Sequence, residues 1–357
     1  MKQVRFALDL GTTKFCLATL DDGSSKHLKT ISVPASGMRR GMIADFSKAS
    51  HSLSTVLDLG VKEFGTDIAR TVVGVAGSHL SGRTVSTSVD LPVDRAVDLT
   101  DITALIQKTE HSFRQPGKEI LHTVPTSYQV NGRPQTLNPI GHSGKSLTGT
   151  FFLIEASALY LKDVITLCNQ CGIEIARIYA EPFASAIATL DEERKELGVV
   201  LCDIGGGTTD GLIFLQGIPI HIFTVNIGGR AMTHDLSLGL NLPFEEAEQI
   251  KIANNLILPT SDFTVPVTDV NGNQSEISSL KAQAILFPRI VELGKYIDKN
   301  INPWKAALGA GLVLTGGGSE SWSINHHQTL YASTSTSTTS QGNVRAVSVA
   351  SRGITTL

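Results

Sequence analysis

The chain has 357 residues, of which 41% are hydrophobic and 18% charged, and its formal net charge is −3. This near-neutral balance gives no indication of nucleic acid or another strongly charged partner. The length is enough for two to three domains with sizeable cores. The N-terminus reads directly into a strand rather than a signal core, no stretch approaches a membrane span, and four cysteines fit a reduced compartment. We therefore expect a cytoplasmic protein.

The first predicted element is a hairpin built on a glycine turn. Residues 4–8 predict a buried strand, and residues 15–20 predict its return. Between them lie Asp9 and the turn Gly11-Thr12-Thr13-Lys14. The order of strand, acid, glycine, threonine and strand recurs later in the chain.

The next residues alternate between strands and helices. Strands are predicted near residues 28–33 and 71–76, with a helix from about Ser47 to Phe64 between them, which is typical of an α/β fold. Residues 83–160 have a pattern of their own. They are predicted to contain a strand at 84–89, a helix at about 100–111 and short strands near 120–130 and 148–154.

A predicted helix ending at Gly172 carries Cys168 and Cys171, which form a Cys-x-x-Cys pair. The sequence has no second pair of this kind, and its ten histidines form no cluster with acids at helical spacing. Core packing is therefore favoured over metal or redox chemistry for these two cysteines.

A predicted strand at 173–179 leads into Glu181 and Pro182. Proline suits the first turn of a helix, and an apolar face follows it. That face consists of Phe183, Ala186, Ile187 and Leu190. An acid in such a first turn stabilises the helix dipole, which is one interpretation of Glu181.

The centre of the chain is the octet Asp203-Ile204-Gly205-Gly206-Gly207-Thr208-Thr209-Asp210, between predicted strands at 199–202 and 212–215. Three glycines allow backbone N–H groups to converge as an anion nest. Carboxylates at both ends suit a phosphate that arrives with Mg2+, because the amides hold its oxygens while the acids hold the hydrated metal. A glycine-rich hairpin without a ligand is the alternative.

The turns at Asp9 and Asp203 are too far apart for a short-period repeat, so they predict two similar lobes that close on one ligand. A third glycine turn supports this prediction. Residues 311–314 predict a short buried strand that runs into Gly316-Gly317-Gly318. The missing side chains would let a flat base or a ribose approach the backbone there.

These motifs resemble those of a known superfamily. Residues 9–14, 203–210 and 314–318 are similar to the phosphate-1, phosphate-2 and adenosine motifs of actin, Hsp70 and the sugar kinases. Within that superfamily, residues 227–251 and 279–293 resemble the FtsA family. Residues 83–160, which have their own pattern of strands and a helix, also lie at the position where FtsA-like chains carry an inserted subdomain. The resemblance covers roughly residues 1–318.

The resemblance implies a fold class and a division into domains. The fold would be α/β, namely the actin-like (ribonuclease H-like) two-lobed ATPase fold with an FtsA-type inserted subdomain and with the C-terminal part of its second lobe missing. The first-lobe core would comprise residues 1–82 and 161–190, and the inserted subdomain residues 83–160. The second-lobe core would comprise residues 191–225 and 309–319, its outer subdomain residues 226–308, and the tail residues 320–357.

The resemblance also implies a site for ATP and Mg2+. Catalytic roles are expected for Asp203 and for Glu181, which would orient the attacking water. Mg2+ would be held, mostly through water, by Asp9, Asp203 and Asp210. The residues expected to contact the nucleotide are Gly11, Thr12, Thr13, Lys14, Gly205, Gly206, Gly207, Thr208, Thr209, Glu248, Lys251, Gly316, Gly317 and Gly318. For Glu248 and Lys251 the alternative is a solvated pair one turn apart on a helix.

The implied function is that of an ATP-binding, polymer-forming bacterial cell-division protein with at most slow ATP hydrolysis. Its expected partners are the C-terminal peptide of FtsZ at the outer subdomain, further copies of itself in protofilaments, and later division proteins at the inserted subdomain. Such proteins link the FtsZ ring to the inner membrane, on its cytoplasmic face. The alternatives are an inactive truncated relative and an ATPase or kinase of the same superfamily. A sugar kinase would need a further catalytic base, and an Hsp70 would need a peptide-binding domain.

After Ser319 we expect the resemblance to stop. Residues 332–340 are a Ser/Thr tract that predicts disorder, and residues 344–357 show no membrane-binding helical face. Two explanations of this loss of resemblance are open. The chain is a truncated relative with a disordered tail, or its last residues are an out-of-frame reading of a longer gene. In either case the strand at 312–314 would lack neighbours, so we expect its apolar face to be partly exposed and the second lobe to be marginally stable.

Overall fold

The structure is a computed structural model that describes residues 6–20, 28–253, 262–321 and 345–346. The chain begins with β1 Phe6–Leu10, β2 Lys14–Leu20, β3 Leu28–Pro34, β4 Met38–Arg39, β5 Met42–Ile43, α1 Phe46–Phe64 and β6 Arg70–Val75. It continues with β7 Leu80–Ala96, α2 Leu99–Ser112, β8 Lys118–Val130, β9 Ser143–Ser157, α3 Ala158–Gln170, β10 Glu174–Ala180, α4 Glu181–Thr189 and α5 Glu192–Leu197. The remaining elements are β11 Val199–Ile204, β12 Thr209–Leu215, β13 Ile218–Val225, α6 Gly229–Leu240, α7 Phe244–Ala253, β14 Thr264–Thr268, β15 Gln274–Ser278, α8 Ser279–Ile301, β16 Gly311–Thr315 and β17 Arg345–Ala346.

Two five-stranded sheets with the same topology form the cores of two lobes. The first sheet has the order β10-β6-β1-β2-β3, and the second has the order β17-β16-β11-β12-β13. In each sheet the central strand pairs antiparallel with the strand that follows it and parallel with the strand on its other side. The two similar lobes predicted from the repeated turns are confirmed.

The fifth strand of the second sheet comes from the predicted tail, residues 320–357, beyond the Ser/Thr tract. Arg345 and Ala346 pair in parallel with Val313 and Leu314, at the position that β10 occupies in the first sheet. Leu312, Val313 and Leu314 are at most 2% exposed. The expectation that this strand would be partly exposed is therefore wrong. The other residues after 321 lie outside the described part of the chain, so the prediction for the tail as a whole stays a prediction.

Both faces of the second sheet are buried, which explains why β11 is apolar from Val199 to Cys202. Val199 and Leu201 face a core shared with the first lobe, whereas Val200 and Cys202 face the core of the outer subdomain. That outer core packs the sheet against the subdomain formed by α6, α7, α8 and the β14–β15 hairpin.

The first lobe's helix α1 begins one residue before its predicted start. Asp45 caps it, because its Oδ1 accepts a hydrogen bond of 3.1 Å from the Lys48 amide. The helix ends at Gly65, which adopts the left-handed conformation with φ 66°. Both end signals are local, and the helix was predictable for that reason.

The inserted subdomain is a three-stranded antiparallel sheet, in the order β7-β9-β8, covered on one face by α2. Side chains of β9 alternate between its two faces. Phe151 and Leu153 lie in the subdomain's own core with Leu105 of α2, whereas Phe152 and Ile154 lie in the core shared by the lobes. The insertion is thus joined to the lobes by the second face of its sheet.

The two helical cysteines pack as predicted. Cys168 is buried in the first-lobe core, Cys171 is half-buried beside the hydroxyls of Ser50 and Ser54, and all four cysteines are free thiols. Within the described ranges, no helix combines the length and the apolar character needed to cross a membrane.

The contact between the insertion and the second lobe depends on a glycine. A Cβ atom at Gly82 of β7 would lie 2.3 Å from Cζ of Phe152 and 2.8 Å from Cγ2 of Ile222 in β13. Because both neighbours are buried, we expect Gly82→Ala to lower the free energy of unfolding by roughly 1–3 kcal/mol. Urea unfolding measures this change. Ser86→Ala, on an exposed part of the same strand, is the control, and equal stability of the two variants would contradict the prediction.

Candidate functional site

The glycine turns at the ends of β1 and β11 face each other between the lobes. A Cβ atom at Gly206 would lie 2.3 Å from Cγ2 of Thr13, and one at Gly207 would lie 2.4 Å from Oγ1 of Thr12. Side chains at these glycines would therefore force the turns apart. The structure thus brings together the two turns that the sequence predicted as phosphate sites.

The turn after β11 is held by its own carbonyl groups. The carbonyls of Gly205 and Gly206 accept hydrogen bonds of 2.9 and 2.8 Å from the amides of Gly229 and Arg230, at the start of α6. For the amides of Gly206 and Gly207, no acceptor is found among the described residues. Amides left free at a fixed turn can bind an anion, as the nest interpretation requires.

Four carboxylates lie at these turns, Asp210 buried and Asp9, Glu181 and Asp203 half-buried. Asp9 and Asp203 are each the last residue but one of the central strand of their sheet, Asp210 pairs with Asp203 in the β11–β12 register, and Glu181 is the first residue of α4. Burial, followed by the charge of Asp203, raises the pKa of Asp9 to about 6. Burial, followed by the charges of Asp9 and Asp203, raises the pKa of Glu181 well above its ordinary value. Such a cluster of like charges favours a cation beside it.

The donor set fits Mg2+ held largely through water. Oδ1 of Asp9 is buried and has no hydrogen-bond partner among the described residues, which leaves it available to a metal or its water. In the described part of the chain, no three metal-binding side chains are close enough to hold an ion directly. Mg2+ commonly keeps several waters and uses only one or two carboxylates, so the predicted, mostly water-mediated mode suits this geometry.

Asp210 differs from Asp9 and Asp203 because both of its oxygens accept hydrogen bonds. Oδ1 accepts hydrogen bonds of 2.6 Å from the Thr224 hydroxyl and 3.1 Å from the Gly77 amide, and Oδ2 accepts one of 2.8 Å from the Thr208 hydroxyl. Burial raises its pKa to about 6. Its oxygens are less available to a metal than those of Asp9, and its bond with Gly77 joins the two lobes.

Glu181 occupies space left by a glycine. A Cβ atom at Gly74, which pairs with Asp9 in the β1–β6 register, would lie 2.8 Å from Oε1 of Glu181. The carboxylate therefore lies beside the acids of the site. It is also in the first turn of α4, where it interacts favourably with the helix dipole. Both predicted roles are compatible with this position.

Glu248 and Lys251 are not a solvated pair, so that alternative is wrong. Lys251 is 7% exposed, and its Nζ donates hydrogen bonds to Oε2 of Glu248 at 2.7 Å, to Oγ1 of Thr233 at 2.8 Å and to the Gly229 carbonyl at 3.1 Å. The pair lies near the third glycine turn, because a Cβ atom at Gly229 would be 3.4 Å from Lys251 Nζ and 3.9 Å from Gly318 Cα.

The third glycine turn packs against the end of β11. Gly316 has φ +83°, and a Cβ atom there would lie 2.3 Å from Oδ1 of Asp203. A Cβ atom at Gly318 would lie 2.5 Å from Cγ2 of Ile204, whereas at Gly317 it would meet no atom within 4 Å. The turn is thus close to the acids on one side and open at its centre, as an approaching base or ribose would need.

Sequence reasoning missed several residues that complete the site. Gly74, Gly77 and Thr224 contact its acids, and Thr233 joins the Glu248–Lys251 pair. Each is a single residue far along the chain from the residue that it contacts. No local pattern singles these residues out.

Two sheets of the same topology with facing glycine turns place this protein in the actin-like class of two-lobed α/β proteins. The chain is similar to a protein of the PilM-PilN type IV pilus biogenesis complex, with a TM-score of 0.64 and 16% identity over 98% of this chain and 89% of that one. It is also similar to MreB5 of Spiroplasma citri, solved with ADP, with a TM-score of 0.56 and 14% identity over 92% and 89% of the two chains. These likenesses show the fold.

Sequence relatives identify the family. Residues 200–354 match the family "Cell division protein FtsA", and residues 77–155 match the "SHS2 domain inserted in FTSA". The chain is 30% identical to the cell division protein FtsA of Neisseria meningitidis serogroup B over 87% of this chain and 77% of that protein. It is 28% identical to the FtsA of Pseudomonas aeruginosa over 88% and 77%. The chain belongs to the FtsA family of cell-division proteins.

The comparisons confirm the predicted family and the actin-like fold with its FtsA-type insertion. The family match continues to residue 354, past residue 318, where we expected the resemblance to end.

The buried acids make a prediction about stability. Asp9 has a pKa of about 6 in the folded protein and an ordinary value of 3.8, so its contribution to stability is present below about pH 4 and is lost as the pH rises through about 6. Near neutral pH, Asp9→Asn should therefore raise the free energy of unfolding of the nucleotide-free protein, by roughly 1–3 kcal/mol. The same substitution should flatten the change in stability between about pH 4 and pH 6.

Urea unfolding as a function of pH measures both effects. Asp58→Asn on the exposed side of α1 is the matched control and should leave stability nearly unchanged. If the Asp9→Asn protein is less stable than the parent near neutral pH, the ionised carboxylate of Asp9 does not destabilise the folded protein, and the prediction is wrong.

Proposed function

We propose that this chain binds ATP with Mg2+ between its two lobes. The observation that carries the proposal is the facing pair of glycine turns, with free amides in one turn and an unpartnered buried oxygen of Asp9 beside it. Two solved actin-like neighbours, the MreB5 structures, were determined with ADP and with AMPPNP, which supports a nucleotide as the ligand.

Each part of the site has a role in this proposal. The turns Gly11 to Lys14 and Gly205 to Thr209 surround the phosphates, whose oxygens would be held by the free amides of Gly206 and Gly207 and by the Lys14 ammonium group. Asp9 and Asp203 hold the hydrated Mg2+, which neutralises phosphate charge. Glu248, Lys251 and the turn Gly316 to Gly318 border the base and ribose. Asp210 mainly fixes the second turn, through its bonds with Thr208 and Thr224.

In this proposal, Glu181 acts on a water molecule. Its raised pKa means that it holds a proton more readily than an ordinary glutamate, so it can orient a water by accepting or donating a hydrogen bond. Phosphate hydrolysis depends mainly on such positioning. We therefore propose slow hydrolysis, with Glu181 orienting the attacking water and Asp203 supporting the metal.

At the level of the cell, we propose that the ATP-bound protein self-associates into protofilaments. It would link the tubulin-like protein FtsZ to the cytoplasmic face of the inner membrane and engage later division proteins through its inserted subdomain. Membership of the FtsA family supports this role.

A groove on the outer subdomain is suited to the FtsZ peptide. It lies between α6 and α8 and has a volume of about 340 Å3. It is lined by Asp235, Leu238, Ile285, Pro288, Arg289 and Glu292. Leu238 is 71% exposed, and the lining contains both apolar side chains and charges, as peptide grooves commonly do.

The nucleotide proposal is tested by Asp203→Asn. Removing this carboxylate should weaken the binding of ATP in the presence of Mg2+ by roughly tenfold or more, because a charge-assisted contact is lost. Binding of ATP with EDTA present should change much less. Isothermal titration calorimetry measures both, with Asp58→Asn as the control. If the parent protein binds no ATP, the chain is a remnant without nucleotide activity, and the proposal is wrong.

The peptide proposal is tested by Leu238→Glu. A charge in the groove should weaken binding of a fluorescent FtsZ C-terminal peptide by roughly tenfold or more, while ATP affinity stays the same. Leu99→Glu is a matched control, since Leu99 of the inserted subdomain is 69% exposed. Equal peptide affinity of the two variants would place the peptide site elsewhere.

A further inference from the structure

Two groups of the first lobe donate hydrogen bonds to the acids of the second-lobe hairpin. The Ser185 hydroxyl of α4 donates to Oδ2 of Asp203 at 2.7 Å, and the Gly77 amide after β6 donates to Oδ1 of Asp210 at 3.1 Å. Asp203 and Asp210 pair directly in the β11–β12 register. The first lobe thus contacts both strands of one hairpin, close to its turn.

Ser185 is placed by a helix that has its own supports. It lies one turn after Glu181 on α4. Its carbonyl accepts a hydrogen bond of 2.6 Å from the Thr189 hydroxyl, and its neighbour Ala186 is fully buried. A serine hydroxyl has one hydrogen to donate, and here that hydrogen is used on Asp203. The position of the helix therefore does not depend on this bond.

The two oxygens of Asp203 have different surroundings. Oδ2 accepts the hydrogen bond from Ser185, whereas Oδ1 lies in the space that a side chain at residue 316 would fill, 2.3 Å from the position of a Cβ atom there. Gly316 makes room for the carboxylate but supplies no side chain to orient it. Among the described residues, the only side-chain hydrogen bond to Asp203 comes from Ser185.

We propose that Ser185 is a positioning residue, which holds Oδ2 of Asp203 so that Oδ1 is directed to the hydrated metal of the bound nucleotide. Because the bond passes from α4 to β11, it also couples the orientation of this carboxylate to the approach of the two lobes. The inference rests on the proposed Mg-ATP site and assigns to it a residue of the first lobe. Ser185 acts through Asp203 and does not itself touch the nucleotide.

The matched variants Ser185→Ala, Ser185→Thr and Thr189→Ala of the full chain test this inference. Ser185→Ala removes the donor, and Ser185→Thr keeps a hydroxyl at the same place. Thr189→Ala removes a different hydroxyl from the same helix, one whose only partner in the described part of the chain is the Ser185 carbonyl. ATP affinity is measured by calorimetry for each protein, once with Mg2+ and once with EDTA, and thermal melting of the nucleotide-free proteins reports on folding.

We expect Ser185→Ala to weaken Mg-ATP binding by roughly tenfold, the usual effect of losing a hydrogen bond to a charged group. ATP affinity in EDTA should stay within about twofold, because the effect passes through the metal. Ser185→Thr should restore most of the Mg2+-dependent affinity. Thr189→Ala should lower the melting temperature at least as much as Ser185→Ala without changing affinity.

Other results would overturn the inference. Equal Mg-ATP affinity of Ser185→Ala and the parent would show that Asp203 needs no help from Ser185, while the nucleotide site itself would stand. Equal losses with Mg2+ and with EDTA, or the same loss in Thr189→Ala, would show a structural effect of the helix. A parent protein that binds no ATP would overturn the proposed function and this inference together.

Discussion

The confinement of four carboxylates, one buried and three half-buried, between two facing turns is the constraint on which this structure depends. Removing an ionised acid from water is costly unless opposite charge or hydrogen bonds offset it. Asp210 is supported by Thr208, Thr224 and Gly77, whereas Asp9 has an oxygen with no partner among the described residues. This difference in hydrogen bonding indicates where a cation would bind. Asp9 has the oxygen without a hydrogen-bond partner, so its negative charge is the one that a bound cation would stabilise.

The repeated sheet explains why so much of the fold was predictable. The turns at Asp9 and Asp203 both follow apolar strands and both carry small residues, and these are local signals. Helix α1 has a capping aspartate and a terminal glycine, and β11 is a continuous apolar run because both of its faces are buried. Where the physical cause lies within a few residues of its effect, as in these elements, the sequence is sufficient.

The rest of the site could not be predicted because its causes are distant in sequence. Gly74 is needed because a side chain there would occupy the space of the Glu181 carboxylate, which comes from the distant junction of β10 and α4. The sequence predicted Lys251 as a nucleotide contact and left a solvated pair as the alternative, but it did not predict Thr233 and the Gly229 carbonyl as its partners. The two-residue strand Arg345–Ala346 has no pattern of its own, and only its pairing with β16 shows its place in the sheet. The polar composition of the tail predicted that β16 would be partly exposed, whereas β16 pairs with β17 and its apolar residues are buried.

The core that joins the three parts of the molecule limits how the protein can be divided. One continuous apolar cluster contains Val73 of the first lobe, Phe152 of the inserted subdomain and Leu201 of the second lobe. The insertion has a small core of its own around Leu105 and Phe151, but the other face of its sheet belongs to the shared cluster. An excised insertion would present that face to water, and so would the lobes left behind. Both fragments would expose apolar surface that the intact chain buries, so the insertion and the lobes are stable only as one packed unit.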